Sequence, residues 1–522
     1  MKIPKFLSSL NVFIVVAFIS PIFYLFFETL NINNNLLQFI EIWDFYELFF
    51  KTFSLVVGVV IISLILGLSS SLIISRFKIK GSKIILALLI LPLVFPSYIG
   101  ALTYASAFSP KGLAVNFLTN FGIREISGIS GYIGSLIVLS LFTYPYVLLI
   151  CFNTISNLDN NIEEAAKSLG SSKVKLFTRV ILPRLKQPIT YSALLVGLYV
   201  LSDFGAVSIM KYSTLTKVIY TYYEIDITGD AVYLYSTLLL LTSFLLSFIQ
   251  RNSDVSNQIQ NSSRSKNIKK KELNKFKLFI TYTYFVLVVF FSLILPILVL
   301  FYWLKNGLNS GLNIELVYKG IFGSIFVSLT TGMLAFFIAI PITVAFTQYK
   351  SNFNKILEKI ILTLYGLPHI TIGISLLFIS LKFVPRLYQS FTLLIFSYLI
   401  VFLPQAIGAG RASTYQISNS FLEASSVLGF SRLKTFYKVT FPMIRNGILS
   451  GSALVFLSTI KELPQTLLLR PTGFKTLAID IWSFSIEGQF TDAAFSSIIL
   501  LAISAIPTYI LSTRNLRSKN DI

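Results

Sequence analysis

Apolar runs of about twenty residues, each long enough to cross a bilayer core, alternate with short polar segments along the whole chain. They fall near residues 9–27, 52–75, 84–108, 131–153, 188–210 and 231–249. A second set lies near 278–302, 321–346, 358–382, 389–410, 447–469 and 493–511. The pattern predicts an all-α integral membrane protein with about twelve transmembrane helices, arranged as two sets of six. A basic, polar stretch divides the chain into a first half, 1–250, a linker, 251–277, and a second half, 278–522. Polar residues weaken the runs at 188–210 and 447–469. The first run follows Lys2 and Lys5, as in a signal peptide, but no small-residue cleavage site precedes Glu28. It is expected to be a retained helix.

Among the polar segments, one stretch recurs. Asn161–Ile189 and Ser420–Ile448, offset by 259 residues, share 10 of 29 positions without a gap, where composition alone would give roughly two. The local chemistry predicts a helix–turn–helix elbow in each half. Ser420 with Glu423, and Asn161 with Glu164, make the capping arrangement that starts a short helix. Gly170 and Gly429 accept the left-handed geometry that ends it. Ser172 and Ser431 can cap a second short helix, which Pro183 and Pro442 are expected to close. The same offset relates Pro145 to Pro404 and Asp203 to Glu462. Prolines also break a hydrophobic helix in each half, at L-P-L-V-F-P-S-Y-I-G (91–100) and G-L-P-H-I-T-I-G (366–373). In a bilayer the backbone groups freed by such a break need neighbours or water, which suits the wall of a cavity.

Composition sharpens the class. The chain is 55% hydrophobic and only 12% charged, against about 25% charged in soluble domains. Its net charge of +21 is one-sided. With the N-terminus inside, the loops on that side hold 31 of the 43 Lys and Arg and 8 of the 22 acidic residues. This positive-inside signature puts both elbows, the linker and both termini in the cytoplasm, and it accounts for the basicity without nucleic acid. The linker reads as a cytoplasmic tether, with lipid binding as a lesser alternative.

Catalytic groups are scarce. Cys151 is the only cysteine and His369 the only histidine, so no disulfide within the chain and no thiol metal site can form. His369 is expected to be buried and hydrogen-bonded. Asp203 and Glu462 lie within or at the ends of apolar segments, where an ionisable residue is a functional candidate and where oxygen ligands suit hard cations. A structural reading competes: Lys461 neutralises Glu462, and Asp203 caps a helix or meets an outer loop. No G-x4-G-K-[ST] pattern occurs, so the usual phosphate cradle for ATP is missing.

The elbow motif resembles the EAA loop of binding-protein-dependent ABC importer permeases, built from MetI-like domains. Glu164, Ala165, Ala166, Gly170 and Pro183 match it. Glu423, Ala424, Gly429 and Pro442 repeat it, with Ser425 in place of the last alanine. The resemblance implies two fused permease domains in a bacterial inner membrane, without catalytic activity or a bound cofactor of their own. It implies elbows that dock on a homodimeric ATP-binding subunit, which carries ATP and Mg, and an extracytoplasmic solute-binding protein that delivers the cargo. L-S-D-F-G-A-V-S-I-M (201–210) and K-E-L-P-Q-T-L-L-L-R-P-T-G-F-K-T-L-A (461–478) are similar to stretches of fused ferric-iron permeases. Fused thiamine and phosphonate-type permeases share this architecture. A twelve-helix secondary transporter would show the same spans, but has no use for paired elbows.

Overall fold

The computed structural model describes residues 5–32, 42–122, 128–156, 168–170, 172–225, 229–252, 270–310, 314–348, 351–414, 424–425 and 427–520. These residues form helices and connections. The one extended pairing among them is an isolated bridge between Phe77 and Lys271.

The first half runs through α1 (Lys5–Leu30), α2 (Ile42–Arg76), α3 (Ser82–Ile90), α4 (Ser97–Ala107), α5 (Leu113–Thr119) and α6 (Gly131–Ser156). It continues with α7 (Lys173–Leu176), α8 (Leu182–Ser202), α9 (Gly205–Ile209), α10 (Leu215–Ile225) and α11 (Asp230–Asn252). The second half opens with α12 (Lys275–Val289) and α13 (Leu295–Ser310), then α14 (Ile314–Gln348), α15 (Asn352–Leu364), α16 (His369–Phe383) and α17 (Phe391–Thr414). It closes with α18 (Arg432–Thr435), α19 (Phe441–Ile460), α20 (Pro464–Leu469), α21 (Leu477–Ile486) and α22 (Phe490–Asn520).

Nine helices among the described residues are long and apolar enough to cross a membrane. Two further pairs qualify together but bend sharply, α3–α4 by 93° and α15–α16 by 102°. Pro92 opens a 3-10 turn at Leu91–Val94, and Pro96 and Pro368 stand in extended backbone as the N-caps of α4 and α16. The one remaining expected span, 188–210, falls outside this set. Its helix, α8, carries Arg184, Lys186 and Gln187, and it breaks at Asp203. The expected span 447–469 breaks in the same way, between Ile460 and Pro464.

Each half packs around a trio of helices, α2, α6 and α8 in the first and α14, α17 and α19 in the second. Small residues let the trios close. A Cβ on Gly451 would sit 2.6 Å from Ala406 Cα, and one on Gly67 2.8 Å from the Tyr144 carbonyl, the close approach typical of helices in lipid. Ser63 and Thr143 add a 2.9 Å hydrogen bond between α2 and α6. Large apolar side chains such as Phe13, Phe23, Ile65, Phe279, Phe322 and Phe337 remain exposed, as the lipid-facing side of a bundle requires.

The halves are interlocked by their first helices. α1 packs against α14, α15 and α16 of the second half, where the Ser375 hydroxyl donates to the Pro21 carbonyl and Lys382 pairs with Glu28 at 2.6 Å. Reciprocally, α12 packs on α3 and α13 on α4, and Tyr104 Oη donates to the Phe291 carbonyl at 2.8 Å.

The prolines of the elbows do not close a helix, contrary to the sequence expectation. α7 passes through a π-turn, Phe177–Ile181, directly into α8, and α18 passes through Phe436–Thr440 into α19. A proline ring clashes with the carbonyl four residues earlier. Here that residue, Arg179 for Pro183 and Lys438 for Pro442, lies inside the widened π-turn. The helix therefore survives the proline.

Candidate functional site

The two carboxylates picked out in the sequence sit at corresponding breaks and do corresponding work. Asp203 stops α8 with extended backbone. Its Oδ1 accepts the backbone N–H of Ala206 at 3.0 Å and of Val207 at 3.4 Å, so it caps α9. Glu462 follows the end of α19, and its Oε1 accepts the N–H of Gln465 at 3.3 Å, within the first turn of α20. Both are buried. A buried carboxylate needs its remaining acceptor sites satisfied, and in each half the second oxygen finds the residue just after a helix-breaking proline. The Ser97 hydroxyl donates to Asp203 Oδ2. His369 Nδ1 lies 2.8 Å from Glu462 Oε2. The carboxylate thus ties the broken α8–α9 to the bent α3–α4, and the broken α19–α20 to the bent α15–α16.

Hydroxyls reinforce both breaks through their carbonyls. Thr216 Oγ1 donates to Asp203 O at 2.7 Å, and Thr466 Oγ1 donates to Glu462 O at 2.8 Å. Tyr398, fully buried, lies 2.7 Å from Thr466 Oγ1.

The two ties meet across the pseudo-twofold. Ser202 Oγ accepts the His369 N–H at 3.4 Å, and Lys461 Nζ reaches the Leu93 carbonyl at 3.5 Å. Lys461 therefore serves the opposite half, and the Glu462 partner is His369, not Lys461 as the structural reading of the sequence had it. Gly205 lies where a Cβ would be 2.8 Å from Tyr98 Cβ and 3.2 Å from Leu463 Cδ2, so residues of both halves converge there. His369 packs on Phe402 with the two rings perpendicular and their centroids 5.3 Å apart.

Ser97 and Ser202 were not singled out in the sequence. The signal was present: P-S-Y-I-G and P-H-I-T-I-G put Ser97 and His369 in the same place after a proline. The offset there is 272 residues, not 259, so the elbow register conceals the pair. Among the described residues, no three His, Cys, Asp or Glu side chains gather into a group able to hold a metal ion.

The elbows are described in part. Glu164, Ala165, Ala166, Glu423 and the two capping boxes lie outside the described residues. Gly170 and Gly429 have φ of 76° and 71°, the left-handed geometry expected of them. Ser172 Oγ accepts the Lys175 N–H at 3.3 Å and Ser431 Oγ the Lys434 N–H at 3.4 Å, the caps expected for the second short helix. Ala424, Leu169, Val427 and Leu428 are exposed, the two leucines at 86% and 71%. Each turn therefore presents bare apolar side chains beside the basic Lys175, Arg179, Lys434 and Lys438.

The family model of the binding-protein-dependent transport system inner membrane component matches this chain twice, over residues 60–256 and 337–516. The Fe(3+)-transport system permease protein FbpB 2 of Haemophilus influenzae is 28% identical over 469 residues, 89% of each chain. The sulfate transport system permease protein CysT of Salmonella typhimurium is 29% identical over 143 residues, 27% of this chain and 50% of its own length. The probable transport system permease protein NifC of Clostridium pasteurianum is 27% identical over 178 residues, 33% of this chain and 60% of its own.

Proposed function

This chain belongs to the family of binding-protein-dependent transport system inner membrane components and is the membrane-spanning permease of an ABC importer, and we propose that ferric iron is its cargo. The observation that carries the iron reading is the end-to-end match, through both halves, to an Fe(3+)-transport permease. The match to the sulfate permease covers only 27% of the chain.

In this proposal the N-terminus, linker and elbows face the cytoplasm, and a homodimeric ATP-binding subunit docks on the elbows. The exposed Leu169, Val427 and Leu428, flanked by lysines and arginine, supply an apolar contact with a charged rim, the usual anatomy of a protein interface. A solute-binding protein delivers iron on the opposite face. ATP and Mg act on the partner subunit, since this chain contains no phosphate loop. ATP binding draws the elbows together, and each elbow moves its own trio because α7–α8 and α18–α19 are continuous through their π-turns. At the far end of those helices are Asp203 and Glu462. Their ties to Ser97 and His369 carry the movement into the bent helices, which form the gate. ATP must bind the outward-facing state more tightly, since a ligand indifferent to the two states shifts nothing.

An oxyanion cargo is the second reading. It is favoured by the partial match to a sulfate permease and by Lys461, a cation at the meeting of the two halves. The test is uptake by the assembled complex in proteoliposomes, driven by ATP inside. Radioactive iron delivered by the cognate binding protein is expected to accumulate. Thiamine, phosphonate and sulfate are each offered as competitors and as cargo. Uptake of one of these in place of iron overturns the iron reading. Uptake without nucleotide overturns the ATP-driven mechanism.

A further inference from the structure

We propose that the seam between the α2–α3 turn and the end of the linker is a binding site for the phosphate headgroup of an anionic phospholipid.

The seam is built, not incidental. The linker end runs alongside the turn as a parallel bridge, in which Lys78 N–H donates to the Lys271 carbonyl and Lys271 N–H to the Arg76 carbonyl, both at 2.9 Å. Lys270 Nζ donates to the Ile74 carbonyl at 2.9 Å, and Tyr282 Oη to the Lys80 carbonyl at 3.1 Å. These contacts hold open a cleft of about 530 Å³ lined by Lys78, Lys80, Lys270, Glu272, Leu273 and Tyr282, among others.

Its chemistry is two-sided. Segments 76–83 and 270–277 carry Arg76, Lys78, Lys80, Lys83, Lys270, Lys271, Lys275 and Lys277 against one carboxylate, Glu272. The ammonium of Lys270 has three protons and gives one to Ile74, which leaves it able to donate to a ligand. Beside the lysines, Ile84, Phe276 and Phe279 stand 68%, 71% and 69% exposed, on helices that enter the apolar layer there. A free phosphate has no use for this apolar rim, whereas the acyl chains of a lipid would cover it. Basic pockets between helices at a membrane boundary are suited to anionic headgroups. Glu272 pairs with Lys78 at 3.0 Å, and so competes with a bound phosphate for that cation.

The orientation proposed above decides only which leaflet supplies the lipid. Binding to the purified chain in detergent tests the site without it. Native mass spectrometry of the full chain, titrated with phosphatidylglycerol or with phosphatidylcholine of the same acyl chains, is expected to show selective retention of the former. Lys78→Gln, Lys80→Gln and Lys270→Gln should each weaken it about fivefold. Glu272→Gln should tighten it, an outcome that needs no disruptive change. Equal retention of the two lipids, or unchanged or weaker binding in Glu272→Gln, overturns the proposal. Displacement of the lipid by inorganic phosphate at equal concentration overturns it in favour of a free-anion site.

Discussion

His369 Nδ1 lies 2.8 Å from Glu462 Oε2, which joins the first residue of one bent helix to the carboxylate at the break of its neighbour. Ser97 and Asp203 make the same junction in the other half. The halves thus use different donors for one purpose: a buried carboxylate caps a short helix with one oxygen and holds a hinge with the other.

This division of labour makes Asp203 sensitive to chemistry more than to charge. Asp203→Ala removes the cap of α9 and is expected to destabilise the protein by about 1–2 kcal/mol. Asp203→Asn keeps an acceptor for Ala206 and Val207 and should cost clearly less, since Asn caps as well as Asp. Thermal unfolding midpoints of the two purified variants check this. Equal losses would mean that the cap is not what Asp203 contributes.

The elbow glycines are constrained by backbone geometry, since nothing lies within 4 Å of a Cβ added at Gly170 or Gly429. At φ of 76° and 71°, a valine is strained by more than about 1 kcal/mol, and the local turn should rearrange. Gly170→Val and Gly429→Val are expected to insert in the membrane but to lose the ATP-binding subunit on purification, or to hydrolyse ATP without uptake. Normal transport by the double variant would remove the elbows from the coupling mechanism.

Packing distinguishes two other glycines. Gly451→Val drives a side chain into the backbone of Ala406 and should cost about 1–3 kcal/mol or more by overpacking. Gly408, inside α17, has open space around it, so Gly408→Ala should raise stability by up to about 1 kcal/mol through helix propensity. The opposite signs can be read from unfolding midpoints in the same detergent.

Asp480 predicts a pH dependence. It is buried on α21, outside the long apolar helices, and its Oδ2 has no hydrogen-bond partner among the described residues. Burial pushes its carboxyl up to about 6, against the pull of Lys475 and Arg470. The folded chain therefore holds this proton more tightly than the unfolded chain. The stabilising contribution is complete below about pH 4 and is lost as pH rises through about 6. Between about pH 5 and about pH 8, the wild-type unfolding midpoint should fall relative to that of Asp480→Asn. Parallel curves would show that Asp480 does not titrate in this range.

The sequence pattern located nearly every long helix, because the length of an apolar run is a local property that a bilayer reads directly. It also anticipated the left-handed Gly170 and Gly429 and the caps at Ser172 and Ser431, which depend on three or four neighbouring residues. It misjudged Pro183 and Pro442. Proline usually ends a helix, and the π-turns at Phe177–Ile181 and Phe436–Thr440 that let the chain pass are backbone geometry that residue preference does not announce. Asp203 and Glu462 were visible as charges out of place, but their partners were not.

What the sequence determined alone was the class of the molecule, its two-fold repetition and the polar points where each half departs from a plain bundle. Which groups meet at those points was decided by the tertiary structure. Ser97 reaches Asp203 across 106 residues and His369 reaches Glu462 across 93. A carboxylate buried in an apolar bundle must find its donor in space, and the donor is set by which helices pack together, not by which residues are near in the chain.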